Sequence, residues 1–396
     1  MRITLLGCGR MGRAVAYGLA MSDELSRLTL VDPRQDRAQE LARWLAERTG
    51  RTSVVRADLE QAVTGQDAVA MAVPWPATEL AIDAVLAARV PAASITRPPV
   101  AELAGIDARA RAAGVPLLLP VGLEPGLTEL LAARLASQLP GVETISVLCG
   151  AIPRFPQPPL RHRSFFGGDR DYHLAVAQRP AWTVTDGRLS AVPRFSGLEV
   201  VRIDGVGKLE AYHDGMVGWL TEHPALRSAT RCTQKTLRWP GFAGIVHSLA
   251  ELGLLDEQPV TVDEATVVPK RVVERVLEPL ARPGVGEEDL VVLQITGQGR
   301  RDGRTVRLRC LLIDYFDHAT SLSATARTTG FTLAAAVRLL ADRAVGDAGW
   351  QPPHLVFSDA QIDQLLSTLV RAGVRWSPAA EIEPSADDQR RGLAPV

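Results

Sequence analysis

Apolar residues in the first third of the chain come in short unbroken runs, each followed by a stretch with helical spacing. Residues 2–7 form one such run and end in glycine, and residues 10–21 place small and apolar residues at three- and four-residue intervals. The alternation repeats with runs at 28–31, 53–55, 67–73, 92–95 and 115–121, and helical patterns at 37–48, 78–88 and 100–113. Strands that lack polar alternation are covered on both faces, and strands joined by helices run parallel. The pattern predicts an α/β fold opening on a doubly wound parallel sheet. From about residue 142 the texture changes to strand-like segments at 189–193, 198–203 and 289–296 among Gly/Pro-rich turns, which suits a mixed or antiparallel sheet. Residues 291–296 and 305–314, joined through Arg301-Asp302-Gly303-Arg304, read as a hairpin, and residues 333–345 as a late helix. The tail over 378–396, rich in Glu, Asp, Ser and Pro, is expected to be disordered.

The first turn carries Gly7-Cys8-Gly9-Arg10-Met11-Gly12, a G-x-G-x-x-G pattern between a predicted strand and a predicted helix. The first glycine permits the tight turn, the second lets a pyrophosphate approach the backbone, and the third lets helix pack on strand. Asp32 lies at the end of the second strand, where a carboxylate accepts hydrogen bonds from ribose hydroxyls. NAD is therefore the expected cofactor; Arg34, two residues on, is placed to meet a 2′-phosphate and keeps NADP as the alternative. Arg10 and Met11 in the turn, and Val73 and Pro74 after the fourth strand, complete the expected cofactor contacts. Asp58 is either another of them or the N-cap of a helix ahead of Gln61.

Composition narrows the partners. The 396 residues, 46% hydrophobic and 22% charged with a formal net charge of -1, are enough for two domains with a cleft between them. No basic face points to nucleic acid, no apolar run reaches membrane length, and no secretory signal is read at the start, so a cytoplasmic enzyme of small molecules is expected. Four cysteines without CxxC spacing and seven histidines without an HxxxH pair suggest neither disulfides nor metal. Lysine occurs only at 208, 235 and 270 in an arginine-rich chain.

Candidate chemistry gathers downstream. Gly122-Leu123-Glu124-Pro125-Gly126-Leu127-Thr128 follows the sixth strand, at the carboxyl edge where ligands collect, so Glu124 is a candidate to bind an amine or assist proton transfer, or simply an acid at a helix start. Lys235 and Arg238 lie on a predicted extended segment and are expected to aim both cations to one side, toward a carboxylate. Glu210 and Tyr212 share a face, where carboxylate and phenol suit amine binding and proton relay. Solvent-exposed cations and a packed tyrosine are the plainer readings of these residues. Arg154, Arg161 and Arg163 with Phe165-Phe166-Gly167-Gly168 form a loop, read as a cover for the cleft or an exposed connection.

The ordered motifs Gly122–Thr128, Gly150-Ala151-Ile152-Pro153, Thr185-Asp186-Gly187, Leu209-Glu210-Ala211-Tyr212, Lys235-Thr236-Leu237-Arg238-Trp239-Pro240-Gly241 and Thr325-Ala326-Arg327-Thr328-Thr329-Gly330 resemble the saccharopine dehydrogenase-like family, with lysine 6-dehydrogenase as the nearest branch. The resemblance implies a Rossmann domain over 1–122, an inserted α+β substrate and dimerisation domain over 123–324, and a helical segment over 325–377 returning to the first domain. It also implies a homodimer that passes hydride between NAD(P) and a carbon bearing nitrogen in a lysine-like or saccharopine-like amino acid. Glu124, Tyr212 and Lys235 are the expected catalytic residues, and Arg97, Glu210 and Arg238 the expected substrate contacts. Arg97 stands where the family often has an acid, which favours an anion there. Two alternatives follow from such departures: a reductase of a specialised pathway that forms a secondary amine from an amino acid and a carbonyl compound, or a nucleotide-binding protein without catalysis. Arg327 is read as a packing or dimer-contact residue, with Thr328 or Thr329 capping the late helix.

Overall fold

The computed structural model describes residues 1–165, 180–343 and 346–382. Its first half alternates as the apolar runs predict: β1 (Arg2–Leu6), α1 (Arg10–Ala20), β2 (Arg27–Val31), α2 (Gln35–Thr49), β3 (Val54–Arg56), α3 (Leu59–Val63), β4 (Ala68–Met71), α4 (Trp75–Ala88), β5 (Ala92–Ser94), α5 (Leu103–Ala113), β6 (Pro116–Leu118) and α6 (Leu127–Ser137). The strands line up in the order β3-β2-β1-β4-β5-β6, all parallel, with the reversal of winding between β1 and β4. A doubly wound sheet of this order leaves a crevice at the carboxyl ends of β1 and β4, where ligands bind.

The second half builds a mixed sheet. Its elements are β7 (Thr144–Pro153), β8 (Ala181–Thr185), β9 (Arg188–Val192), β10 (Glu199–Ile203), β11 (Gly207–His213), β12 (Arg231–Arg238), α7 (Phe242–Glu251), the small hairpin β13 (Val260–Val262) and β14 (Ala265–Val267), α8 (Pro269–Ala281), β15 (Asp289–Arg301) and β16 (Arg304–Tyr315). The β15–β16 hairpin turns at Asp302-Gly303 with Arg301 opposite Arg304, as the turn chemistry predicts. β7 runs parallel to β12 and antiparallel to β15, so it sits in the middle of the sheet.

The chain then returns to the first domain through α9 (Ala324–Ala341) and β17 (Gly349–Gln351), which adds a seventh parallel strand beside β6. α10 (Pro353–Val356), α11 (Asp359–Arg371) and β18 (Arg375–Glu381) complete the described residues. α9 begins nine residues before the start expected from its apolar spacing. Asp289 accepts from the backbone N–H groups of Ala324 (2.6 Å) and Thr325 (2.8 Å), and Ser323 from that of Ala326, so the cap comes from Ser323 and a distant strand rather than from Thr328 or Thr329. The threonines that obscured the pattern bond back into the helix: Thr328 Oγ1 donates to Ala324 O and Thr332 Oγ1 to Thr328 O. β18 crosses the boundary expected for the disordered tail, because its backbone pairs with β16 from Leu308 to Ile313; residues 383–396 of that tail lie outside the described residues.

One apolar core joins the sheets. α9 lies against α1, and α6 against β7 and β15, so Leu19, Phe331, Leu130, Leu135, Val147 and Leu293 belong to one continuous cluster. The crossing of α1 and α9 is tight: a Cβ on Gly330 would meet Ala14 Cβ at 2.7 Å and Val15 N at 2.8 Å. Among the described residues no helix is long and apolar enough to cross a membrane.

Candidate active site at the carboxyl edge of the parallel sheet

A cleft of about 1020 Å³ opens where the winding of the sheet reverses, large among small-molecule sites, which run to about 1,000 Å³. Its floor is the glycine turn. Gly7 sits at φ +92°, and a Cβ there would lie 2.5 Å from Ala72 O; a Cβ on Gly12 would lie 1.8 Å from Gly7 O; at Gly9 the same atom would meet nothing within 4 Å. The first and third glycines are thus required by the protein's own packing, and the second faces open space where a pyrophosphate can approach. Arg10, Met11, Asp32, Arg34, Val73 and Pro74 line the cleft as expected. Asp58 does not: its carboxylate accepts from Gln61 N at 2.8 Å and caps α3, the other of its two readings. Across from the turn, the walls come from Phe165, the 283–287 loop and the start of α9 at Ser323 and Ala326. Phe166, Gly167 and Gly168 lie outside the described residues.

At its other end the cleft is lined by Val73, Ile95 and Thr96, and here the second constellation meets it. Arg97 follows Thr96 directly and donates from Nη2 to Gly215 O at 2.9 Å, and a Cβ on Gly122 would lie 3.8 Å from Ile95 Cβ. Glu124 stands behind them. Its Oε1 accepts from Gln234 Nε2 at 2.6 Å, the Cys149 thiol bonds to it, and a Cβ on Gly215 would lie 2.0 Å from it, so a side chain at 215 would displace the carboxyl. Burial, reinforced by the negative charge of Asp214, pushes the Glu124 carboxyl up to about 7. Asp214 pairs with Arg194 and accepts from Thr236 Oγ1 at 3.1 Å. Glu129, 2% exposed, accepts from Gly126 N and from Thr128 Oγ1, and its pKa is also raised by burial. Sequence reasoning missed Asp214, Gln234, Cys149 and Arg194. Asp214 lies two residues beyond Tyr212 and Gln234 one before Lys235, but the register that brings β11, β12 and β7 together was not legible.

Several expected site residues have other work. Lys235 and Arg238 are three apart on β12 and point to opposite faces of the strand, correcting the expectation of one paired side. Lys235 Nζ donates to Glu199 Oε1 at 2.8 Å and Gly197 O at 2.6 Å, tying β12 to the segment before β10. Glu210 accepts from Gly241 N (2.8 Å) and Ala243 N (2.5 Å) and caps α7, where a carboxylate meets the positive end of the helix. Tyr212 is 1% exposed, its ring centroid 4.9 Å from that of Phe195 and stacked on Phe242 at 6.4 Å; burial raises its phenol, which opposes a relay role. Arg238 shares the Tyr212 face, lies 5.6 Å from the centre of the Phe242 ring, and keeps a buried Nε that bonds to nothing among the described residues. Arg327 is confirmed as a packing residue: buried, it bonds to Asp314 at 2.8 Å and Ala372 O at 3.1 Å.

Residues 122–374 match the model of the saccharopine dehydrogenase C-terminal domain, and they make up well over half of the chain. The chain belongs to the saccharopine dehydrogenase family. Residues 2–95 match a second model, the F420-dependent NADP oxidoreductase. In shape the chain is similar to the apo saccharopine dehydrogenase (L-Glu forming) of Saccharomyces cerevisiae, with a TM-score of 0.77 at 19% identity over 96% of this chain and 100% of that one. A far weaker likeness, TM-score 0.45 at 13% identity over 93% and 98% of the two chains, is to an engineered D-amino acid dehydrogenase bound to NADP+. As a saccharopine dehydrogenase family member with this Rossmann domain, the protein is an NAD(P)-dependent oxidoreductase. The glycine turn, with open space over Gly9 and close packing under Gly7 and Gly12, fits the dinucleotide.

Proposed function

We propose that this oxidoreductase moves hydride to or from a carbon bearing nitrogen in a lysine-like or saccharopine-like amino acid, with Glu124 handling the proton on that nitrogen. The observation that carries the reading is the placement of the Glu124 carboxyl: it sits against Gly215, whose carbonyl is bonded by Arg97, the residue that follows Thr96 at the end of the cleft, and burial raises it to about 7. A bound nicotinamide supplies or accepts the hydride. The chain's residues have two remaining tasks: to hold the substrate with its carbon against the ring, and to manage one proton.

In the oxidative direction the amine must be uncharged before its carbon gives up hydride. Ionised Glu124 takes the proton from the ammonium, and in reduction the protonated carboxyl returns it. A group titrating near 7 is ready for either step, since both of its forms are populated at neutral pH. Gln234 keeps the carboxyl oriented through the 2.6 Å bond from Nε2. Asp214 adds negative charge on the side that receives a cationic amine, and the guanidiniums of Arg97 and Arg238, each bonded to one backbone carbonyl, are offered to a carboxylate of the substrate.

Mixing the protein with NAD or NADP and a panel of amines and N-substituted amino acids, and following the absorbance of the reduced nicotinamide, tests the proposal. Turnover is expected with at least one amino acid that carries a free or substituted side-chain amine. Absence of turnover across the panel in both directions, with cofactor bound, contradicts it.

A further inference from the structure

A second cavity, of about 660 Å³, lies apart from the dinucleotide cleft and shares no lining residue with it. Three parts of the chain enclose it: the end of α5 at Arg111, the short turn Leu220–Glu222 from the second half, and the returning segment with β17, the edge strand of the parallel sheet, and α10. The proposed reaction uses none of these residues. Asp107 accepts from Arg111 Nε at 2.8 Å and from the backbone N–H of Trp350 at 2.9 Å, which fixes the guanidinium against the strand. Gly349 makes room for this: at φ +117°, a Cβ there would fall 2.5 Å from Asp107 Oδ1 and 3.2 Å from Arg111 Cζ. Both Nη groups of Arg111 and the carboxylates of Glu222 and Asp347 make no hydrogen bond or ion pair among the described residues. Gln351, 8% exposed, lines the same space; its Nε2 reaches Asp347 O at 3.3 Å and Ala348 O at 3.5 Å, while its Oε1 accepts from no described residue. A nearly buried amide oxygen calls for a donor, and one that enters the cavity supplies it. Leu355 and Val356 add an aliphatic wall, and Trp350, its Nε1 tied to Leu119 O at 2.7 Å, an aromatic one.

We propose that this cavity is a second binding site, for an α-amino acid with a cationic side chain. The ligand's carboxylate takes the free Nη donors of Arg111, whose planar fork matches its two oxygens. Its α-ammonium donates to Gln351 Oε1 and to one of the two carboxylates, its side-chain cation meets the other, and its stem runs along Leu355, Val356 and the Trp350 ring. The charges match in number, since a basic amino acid brings two cations and one anion to two unpaired carboxylates and one guanidinium. A neutral amino acid leaves a carboxylate unmatched, and an amine without a carboxylate leaves Arg111 so. Because the ligand touches three segments that only folding brings together, it favours the closed return of the chain over its opening.

Calorimetric titration of L-arginine, L-citrulline and agmatine into the full chain, and into a variant carrying Glu222→Gln and Asp347→Asn, tests the inference. Arginine offers no side-chain amine to the proposed reaction; citrulline keeps its shape without the side-chain charge, and agmatine lacks the carboxylate. Arginine is expected to bind the native protein, and citrulline and agmatine each to bind about tenfold more weakly or worse, the scale of one charge-assisted contact. The variant changes only exposed side chains and is expected to melt as the native protein does, while its affinity for arginine falls by about tenfold or more. Absence of arginine binding, equal binding of the three compounds, or an affinity for arginine that the variant retains each overturns the inference. None of these results bears on the reaction in the cleft, which is read from the reduced nicotinamide.

Discussion

Glu124 is an acid whose charge the fold discourages, and that has a consequence for stability as well as for chemistry. Its carboxyl is raised in the folded chain from an ordinary value near 4.5 to about 7, so between those values the native state holds a proton that the unfolded chain has released. Stability from this group is full below about pH 4.5 and declines as pH rises through 7. Glu124→Gln keeps the shape and a partner for Gln234 while removing the ionisation. It should be more stable than the native protein at pH 8, by on the order of 3 kcal/mol, and no more stable at pH 4.5, which melting curves across that range would show. A native protein as stable at pH 8 as its Gln variant would mean that Glu124 is not held in the way its surroundings imply. At this scale the sequence exposed residue types better than their duties. Glu124 and Arg97 could be singled out because they follow strands at the carboxyl edge of a readable sheet. Lys235, Glu210 and Tyr212 could not be sorted, because a cation, an acid and a phenol on a strand look alike whether they meet substrate, a helix start or an aromatic core. Only the pairing of β11 with β12 and the arrival of α7 decide it.

Among the elements, α9 bears the strongest constraint. It crosses α1 through Gly330, where a side-chain carbon would fall 2.7 Å from Ala14 Cβ and 2.8 Å from a backbone nitrogen, so the helices must move apart to admit one. Gly330→Ala should therefore destabilise the chain by roughly 1–3 kcal/mol despite the better helix propensity of alanine, as denaturant titration would measure. Asp289→Asn tests the other end of the same helix. It removes a carboxylate that receives two backbone N–H groups and the Thr325 hydroxyl, and should cost roughly 1–2 kcal/mol. The elements of the first half were legible because buried parallel strands and amphipathic helices have different apolar periods. α9 was read short because its first two turns are threonine-rich and its main cap lies thirty-five residues upstream, beyond the reach of any local pattern.

For the whole molecule, the return of the chain is what makes two sheets one body. β17 closes the parallel sheet, and Trp350 packs edge-on against Trp219 with centroids 5.1 Å apart. His354 Nε2, buried next to them, donates to Trp219 O at 3.3 Å. Burial lowers this imidazole to about 4, so it is neutral in the folded chain when the unfolded chain's histidine has already taken a proton. The stability it carries is present above about pH 6.5 and is lost as pH falls toward 4; His354→Gln, neutral throughout, should flatten that part of the acid limb of a stability curve. Strands as short as β17 leave no periodic signal, which is why the reading anticipated a helical return and not a seventh strand.

In the proposed reaction the two halves of the molecule meet where a dinucleotide's hydride and the Glu124 proton act on the same C–N bond. The pH dependence of kcat/KM for amine oxidation, compared between the native protein and Glu124→Gln, tests it most directly. A limb inflecting near pH 7 is expected in the native protein, and in the variant a rate lower by about a hundredfold or more with that inflection gone. An unchanged inflection in Glu124→Gln, or a rate close to native, would contradict it.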